Sequence, residues 1–289
     1  MDLFFALSSC LITELLLREH RATGTLNIWA FYARRVLRIW PLYFFALFLA
    51  APSMPWGYLT GFALLSGNWM CAFAGFPASP FALLWSVSIE EQFYLAWPWV
   101  VRGKKQRIAT CAWIMLAVAS ITRIVLAASG TTHPGVWCNT LARLDPIAGG
   151  ALLAFYQPKG RAWFLAVGGV ALFTIGGFGP HDGWGSLLTY PLAAAAAVAI
   201  LSGSLVMGWN NRVIAYLGKI SYGLYVFHVA AIEGVGPIAA LPVTSAIAAL
   251  SYRYLESPFL RMKERFSGIA GGTTPPSERS PKTRTTSAA

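Results

Sequence analysis

The chain has 289 residues, of which 56% are hydrophobic and only 11% charged, with a net charge of +11 and a mean hydropathy of +0.57. Soluble domains carry about 25% charged residues, so this composition excludes an ordinary soluble enzyme, and it also excludes disordered, fibrous and disulfide-stapled secreted classes. The basic residues flank apolar runs instead of forming one polar surface, which argues for membrane orientation over nucleic-acid binding.

Taken in chain order, the apolar runs predict an all-α fold, a polytopic transmembrane helix bundle of about nine spans. They cover approximately 2–17, 38–54, 82–101, 108–128, 143–156, 162–178, 185–206, 213–235 and 238–255. The stretch from Trp56 to Phe76 is apolar too, but its glycines and prolines predict an interfacial or re-entrant segment. Every Lys and Arg except Arg123 and Arg143 falls on alternate loops, the pattern of cytoplasmic loops. Nine spans then place the C-terminus in the cytoplasm and Met1 outside, in an inner (plasma) membrane. That parity asks for one more helix upstream, so the chain reads as N-terminally truncated. From Ser267 onward the composition turns to Gly, Thr, Pro, Ser and basic residues, which cannot bury a core. The expected organisation is a membrane domain over 1–263 and a disordered cytoplasmic tail over 264–289.

Ionisable groups inside spans are costly unless paired or wetted, so they mark candidate sites. Met1 is followed by Asp2 at the outer edge of the first span. In FYARRVLRIWPLYFF, Arg34, Arg35 and Arg38 cluster just before an apolar run, and Arg35 and Arg38 share a helix face. Guanidinium groups there suit a phosphorylated ligand arriving from the cytoplasm, or else anchor the chain to lipid headgroups. In LWSVSIEEQFYLAWPWVV, Ser86, Glu90, Phe93 or Tyr94, and Trp97 form one stripe, with Glu90 as a general base, an acid or the partner of an arginine. Glu91 points about 100° away and reads as structural. CNTLARLDPIAGGALLA brings Arg143 and Asp145 to the depth of Asp2, an outer polar cluster, and its Gly150 and Ala154 predict close helix packing. Ser221, Tyr225 and His228 make a polar stripe ending at mid-membrane, where His228 is either a packing or a catalytic residue. Cys10, Cys71, Cys111 and Cys138 show no metal-ligand spacing; Cys71 and Cys138 share the outer side, where a disulfide is conceivable.

Six segments, in order, resemble the acyltransferase-3 family of integral-membrane O-acyltransferases. They are MDLFFALSSCLIT, ARRVLRIWPLY, LWSVSIEEQFYLAWP, TLARLDPIAGGALLA, ISYGLYVFHV and LSYRYLESPFLRMK. The resemblance implies a ten-helix fold that takes an acyl group, often acetyl, from cytoplasmic acyl-CoA as donor substrate and passes it to a hydroxyl of a sugar or cell-envelope glycan. No bound cofactor or metal is implied. Arg35 and Arg38 would be the family's arginine pair, and Ser86 and Glu90 its Ser and Glu signature. The family's first helix, with an arginine and a histidine regarded as essential, has no counterpart here. Its usual glycine after LS in the second helix is Ser9, and the interval from His228 to Ser251 is short. The resemblance therefore predicts an acyltransferase that is weak or inactive in this chain and active at full length. A transporter or flippase, or a non-catalytic membrane scaffold, is the competing reading.

Overall fold

The computed structural model describes residues 1–103, 106–158, 160–207 and 211–263, so the expected disordered tail lies outside the described residues. Every regular element among them is helical. In chain order these are α1 (Asp2–Thr23), α2 (Ile28–Ala50), α3 (Trp56–Ala63), α4 (Gly67–Ala74), α5 (Trp85–Val101) and α6 (Gln106–Ala128). There follow α7 (Leu144–Tyr156), α8 (Trp163–Phe178), α9 (Ser186–Val206), α10 (Arg212–Ser251) and α11 (Ser257–Lys263).

Local chemistry sets the boundaries. Gly24, in a left-handed conformation, ends α1 with its N–H on His20 O, so His20 sits in the last helical turn and not in a loop. Asn27 opens α2 by accepting a hydrogen bond from the Ala30 N–H at 3.0 Å, and Asn211 caps α10 through the Val213 N–H at 2.8 Å. A 3-10 turn over Pro80–Leu84, capped by Ser79, feeds directly into α5.

The segment expected to be interfacial or re-entrant is a hairpin of two short helices. Its two helices, α3 and α4, are 8 residues each and turn back at Leu65, which has φ 55°. Helices of that length rise about 12 Å, far short of a ~30 Å hydrocarbon core. Tyr58 Oη donates to Ala74 O and Gly75 O at 2.9 Å each, tying the two ends together. Asn68 and Gln92 then lock the hairpin to α5: Gln92 Nε2 donates to Asn68 Oδ1 at 2.9 Å and Thr140 Oγ1 donates to Gln92 Oε1 at 2.7 Å.

The last long element is also a hairpin. Gly236 has φ 78° and ψ 164°, outside the helical region, and Pro237 follows it. A β-carbon on Gly223 would lie 3.0 Å from Ala248 Cα. In a straight helix those positions would stand about 37 Å apart, so the two arms fold back on each other. The short interval after His228 is absorbed by making the turn at a single glycine.

Among the described residues, three stretches are long and apolar enough to cross a membrane: Gln106–Ala128, Gly183–Val206 and Arg212–Met262. Length and composition do not confirm the expectation of about nine spans. Asp2, Glu14, Arg18 and Glu19 load α1, and Arg34, Arg35 and Arg38 load α2, while α5, α7 and α8 have 17, 13 and 16 residues.

Within the bundle α1 lies on α7, which is flanked by α6 and α9, and α8 lies on α9. The main core runs through Phe5, Tyr43, Leu84, Ile89, Ile147 and Val226, all within 2% exposure. The α1–α7 approach is close because Gly150 has no side chain: a β-carbon there would stand 2.1 Å from both Ala6 O and Ser9 Oγ. Ser9, in place of the family's usual glycine, fits because Gly150 leaves it room. Gly150→Ala should therefore force the two helices apart. We expect a loss of at least about 1–3 kcal/mol, the usual cost of overpacking, read as a lowered thermal midpoint in detergent; an unchanged midpoint would mean that α1 and α7 do not meet here.

Candidate active site

α1, α2, α5 and the first arm of α10 enclose a cavity of about 320 Å³. Arg35 and Arg38 line it from α2, Glu90 and Tyr94 from α5, Ser8 from α1 and Ser221 from α10. The sequence-predicted arginine pair and the predicted carboxylate thus converge on one space. Helical geometry accounts for this: Arg35 and Arg38 are three residues apart and Glu90 and Tyr94 four, so each pair presents one face.

Glu90 is 4% exposed and belongs to no ion pair among the described residues. Its Oε2 accepts a hydrogen bond from Tyr94 Oη at 3.2 Å, while Oε1 is buried without a partner. An arginine-bound structural role for Glu90 is not what the geometry gives. Arg35 is held by stacking, with its guanidinium carbon 5.5 Å from the Phe31 ring centroid and 5.7 Å from that of Tyr94, and its Nε is buried without a partner. Arg38 is exposed.

Other predicted residues go elsewhere. Arg34 pairs with Glu19 Oε2 at 2.7 Å and does not line the cavity. Ser86 is fully buried behind it, with Oγ 2.6 Å from Tyr225 Oη, which in turn donates to Leu83 O at 2.8 Å. His228 lies a turn further along α10, its Nδ1 2.6 Å from Tyr225 O, and is not among the lining residues. Ser86 and His228 are therefore joined through Tyr225 rather than through the cavity. All four cysteines are free thiols, Cys71 and Cys138 both fully buried.

Asp2, Arg143 and Asp145 do form buried ion pairs, but their pairing differs from the simple trio. Arg143 Nη2 bonds Asp2 Oδ2 at 3.0 Å, and its guanidinium stacks between Trp137 and Tyr190 at 4.8 and 4.6 Å. Asp145 is taken instead by Arg123 of α6, which also donates to Ala142 O at 2.8 Å. Sequence reasoning missed Arg123 as a partner, although an arginine deep in an apolar span was itself the signal. Nε and Nη1 of Arg143 and Oδ1 of Asp2 are buried without partners.

Removing one member of a fully buried ion pair strands the other charge. Arg123→Ala should cost about 3–5 kcal/mol of stability, and Arg123→Met with Asp145→Leu should recover most of it. Denaturation of the three proteins in the same detergent checks this, and equal midpoints for the single variant and the parent would contradict it.

Comparison with known proteins identifies the family of the chain. The model of the acyltransferase-3 family, described as an acyltransferase domain, matches residues 1–253. The O-acetyltransferase OatA of Staphylococcus aureus strain NCTC 8325 / PS 47 is 26% identical over 323 residues, covering 93% of this chain and 53% of the relative, and OatA of strain COL gives the same figures. The chain spans about half the length of the curated relatives it matches. No solved structure matches it. With a family model that matches most of its residues, the chain belongs to the acyltransferase-3 family.

Proposed function

We propose that the protein transfers an acyl group, acetyl in the simplest case, from acyl-CoA to a hydroxyl of a sugar or cell-envelope glycan. The observation that carries this reading is the convergence of Arg35, Arg38 and the unpaired carboxylate of Glu90 on one cavity. Two guanidinium groups without carboxylate partners suit the phosphates of the donor, which they bind through paired N–H groups. With those phosphates at Arg35 and Arg38, the thioester extends inward to Glu90.

The acceptor oxygen attacks the thioester carbonyl carbon, so a C–O bond forms as the C–S bond breaks. The hydroxyl proton passes to Glu90 and the CoA sulfur leaves as the thiolate, which takes up a proton. Oε1 of Glu90 is free for that proton, while Tyr94 holds Oε2 and fixes the carboxylate. Holding donor and acceptor in one small space supplies the proximity the reaction needs. Ser86 acts by orienting Tyr225, and His228 belongs to the same hydrogen-bonded group.

On the acceptor side, Asp145 is occupied by Arg123, so Arg143 and Asp2 remain as the polar contacts. Ser8, which lines the cavity, is six residues beyond Asp2 on α1, a rise of about 9 Å. That reach is compatible with a glycan whose reacting hydroxyl extends toward Glu90. The relatives' name, O-acetyltransferase, fits both the transferred group and the oxygen acceptor. In this reading residues 1–263 form the catalytic membrane domain, with nine crossings of the inner (plasma) membrane and a cytoplasmic C-terminus, as the distribution of basic residues asks.

Glu90→Gln preserves shape and the Tyr94 hydrogen bond but removes the base. Transfer to native acceptor should fall about 100- to 10,000-fold with an unchanged thermal midpoint. Arg35→Ala should raise the donor KM at least tenfold, whereas Arg34→Ala should leave it near the parent value. Retained transfer in Glu90→Gln, or equal effects of the two arginine variants, would refute the assignment.

A further inference from the structure

Neighbouring helix positions diverge by about 100°, and at Glu90 and Glu91 the result is two separate cavities. Glu91 lines a second one of about 330 Å³, mostly apolar, with Val36, Trp40, Leu64, Leu65 and Leu95 beside the polar Gln92 and Tyr32. Its Oε2 accepts from Trp40 Nε1 at 3.3 Å. Glu91 is thus not merely a packing residue of α5. Arg35 and Tyr94 line both cavities, and they are the only residues that do.

Tyr94 is the solid part of that partition. It is 4% exposed, its hydroxyl is bonded to Glu90 and its ring lies beside the Arg35 guanidinium. Beyond it the surroundings change. Leu64 and Leu95 stand at the rim of the second cavity with 73% and 66% exposure, so the space opens onto the outer surface of the bundle. In a membrane acyltransferase that surface faces hydrocarbon. An apolar space open to lipid suits an aliphatic chain; it does not suit a phosphate or a sugar hydroxyl.

Resting on the acyl-transfer reading above, we propose that Tyr94 determines acyl-chain length: its ring closes the donor cavity beyond Glu90 and holds the transferred group to a short chain. The cavity on its far side is a latent site for a longer aliphatic chain. With the donor phosphates at Arg35 and Arg38 and the thioester carbonyl at Glu90, the alkyl end of the acyl group is directed away from the sulfur and meets this ring. Tyr94 is the aromatic part of the wall between the donor cavity and the second one, which it forms together with Arg35. The reaction is unchanged by its removal: the same C–O bond forms and the same C–S bond breaks, with a longer chain on the carbonyl carbon.

The test uses membranes containing the full protein and its native acceptor, with labelled acetyl-, butyryl- and hexanoyl-CoA, and counts alkali-labile ester label. The parent should favour acetyl. Tyr94→Phe keeps the wall and loses the bond to Glu90, so it should transfer more slowly with the parent's chain-length profile. Tyr94→Ala should raise the hexanoyl-to-acetyl ratio at least about tenfold, the lower range for admitting a methylene into an apolar pocket. Adding Val36→Phe, which fills the second cavity alone, should return the ratio toward the parent's. If Tyr94→Ala does not accumulate, Tyr94→Leu is read by the same ratio. A parent-like ratio in the alanine or leucine variant, a parent that prefers hexanoyl, or loss of all transfer in folded alanine and leucine variants overturns the proposal. No label from any CoA donor with the parent protein would instead overturn the donor assignment on which it rests.

Discussion

A carboxylate inside an apolar bundle must be solvated by the protein around it, and α5 carries two of them in succession. This requirement organises the centre of the molecule. Because Glu90 and Glu91 cannot face the same way, the bundle supplies two settings: Tyr94 and the arginine-lined cavity for the first, Trp40 and an apolar cavity for the second. The side chain between them is Arg35, and aromatic rings hold it, with no carboxylate in an ion pair among the described residues. Stacking fixes the position of a guanidinium without neutralising its charge, which leaves the charge available to a ligand. The rest of the fold holds α5 at this depth. The hairpin of α3 and α4 grips it through Gln92, and Trp97 donates to Thr13 Oγ1 of α1 at 2.8 Å.

The parts of this arrangement that were legible in sequence are those governed by helical spacing. Arg35 with Arg38, and Glu90 in line with Ser86, follow from residues three and four apart, and the structure puts three of the four on one cavity. Glycine and proline punctuation marked the hairpin of α3 and α4, and an apolar break marked the turn at Gly236. What sequence could not supply is the register between helices distant in the chain. Asp145 meets Arg123 because α6 and α7 pack at one particular height, and Arg34 meets Glu19 because α1 outlasts its expected end and brings Glu19 alongside. The count of about nine spans is not confirmed among the described residues, for a related reason. Charged residues at the ends of α1 and α2 serve cavities and ion pairs inside the bundle, so hydropathy and length do not separate membrane-crossing helices from site-bearing ones.

The charged residues divide into two physical classes, and the division bears on function. Arg123 with Asp145, and Arg34 with Glu19, are cations whose carboxylate partners sit within hydrogen-bonding distance. Such pairs position helices and have little left to offer a substrate. Arg35, Arg38 and Glu90 are the opposite case, since they share a cavity without forming an ion pair. Burying unpaired charge costs stability unless something arrives to complete it. Arg35 lies between Glu90 and Glu91, and Arg38 is exposed at the cavity, so both guanidinium groups keep N–H groups that a polyanionic donor would engage in the proposed function. The placement of Arg35 and Arg38 on one cavity is therefore what fits the donor class of the proposed function.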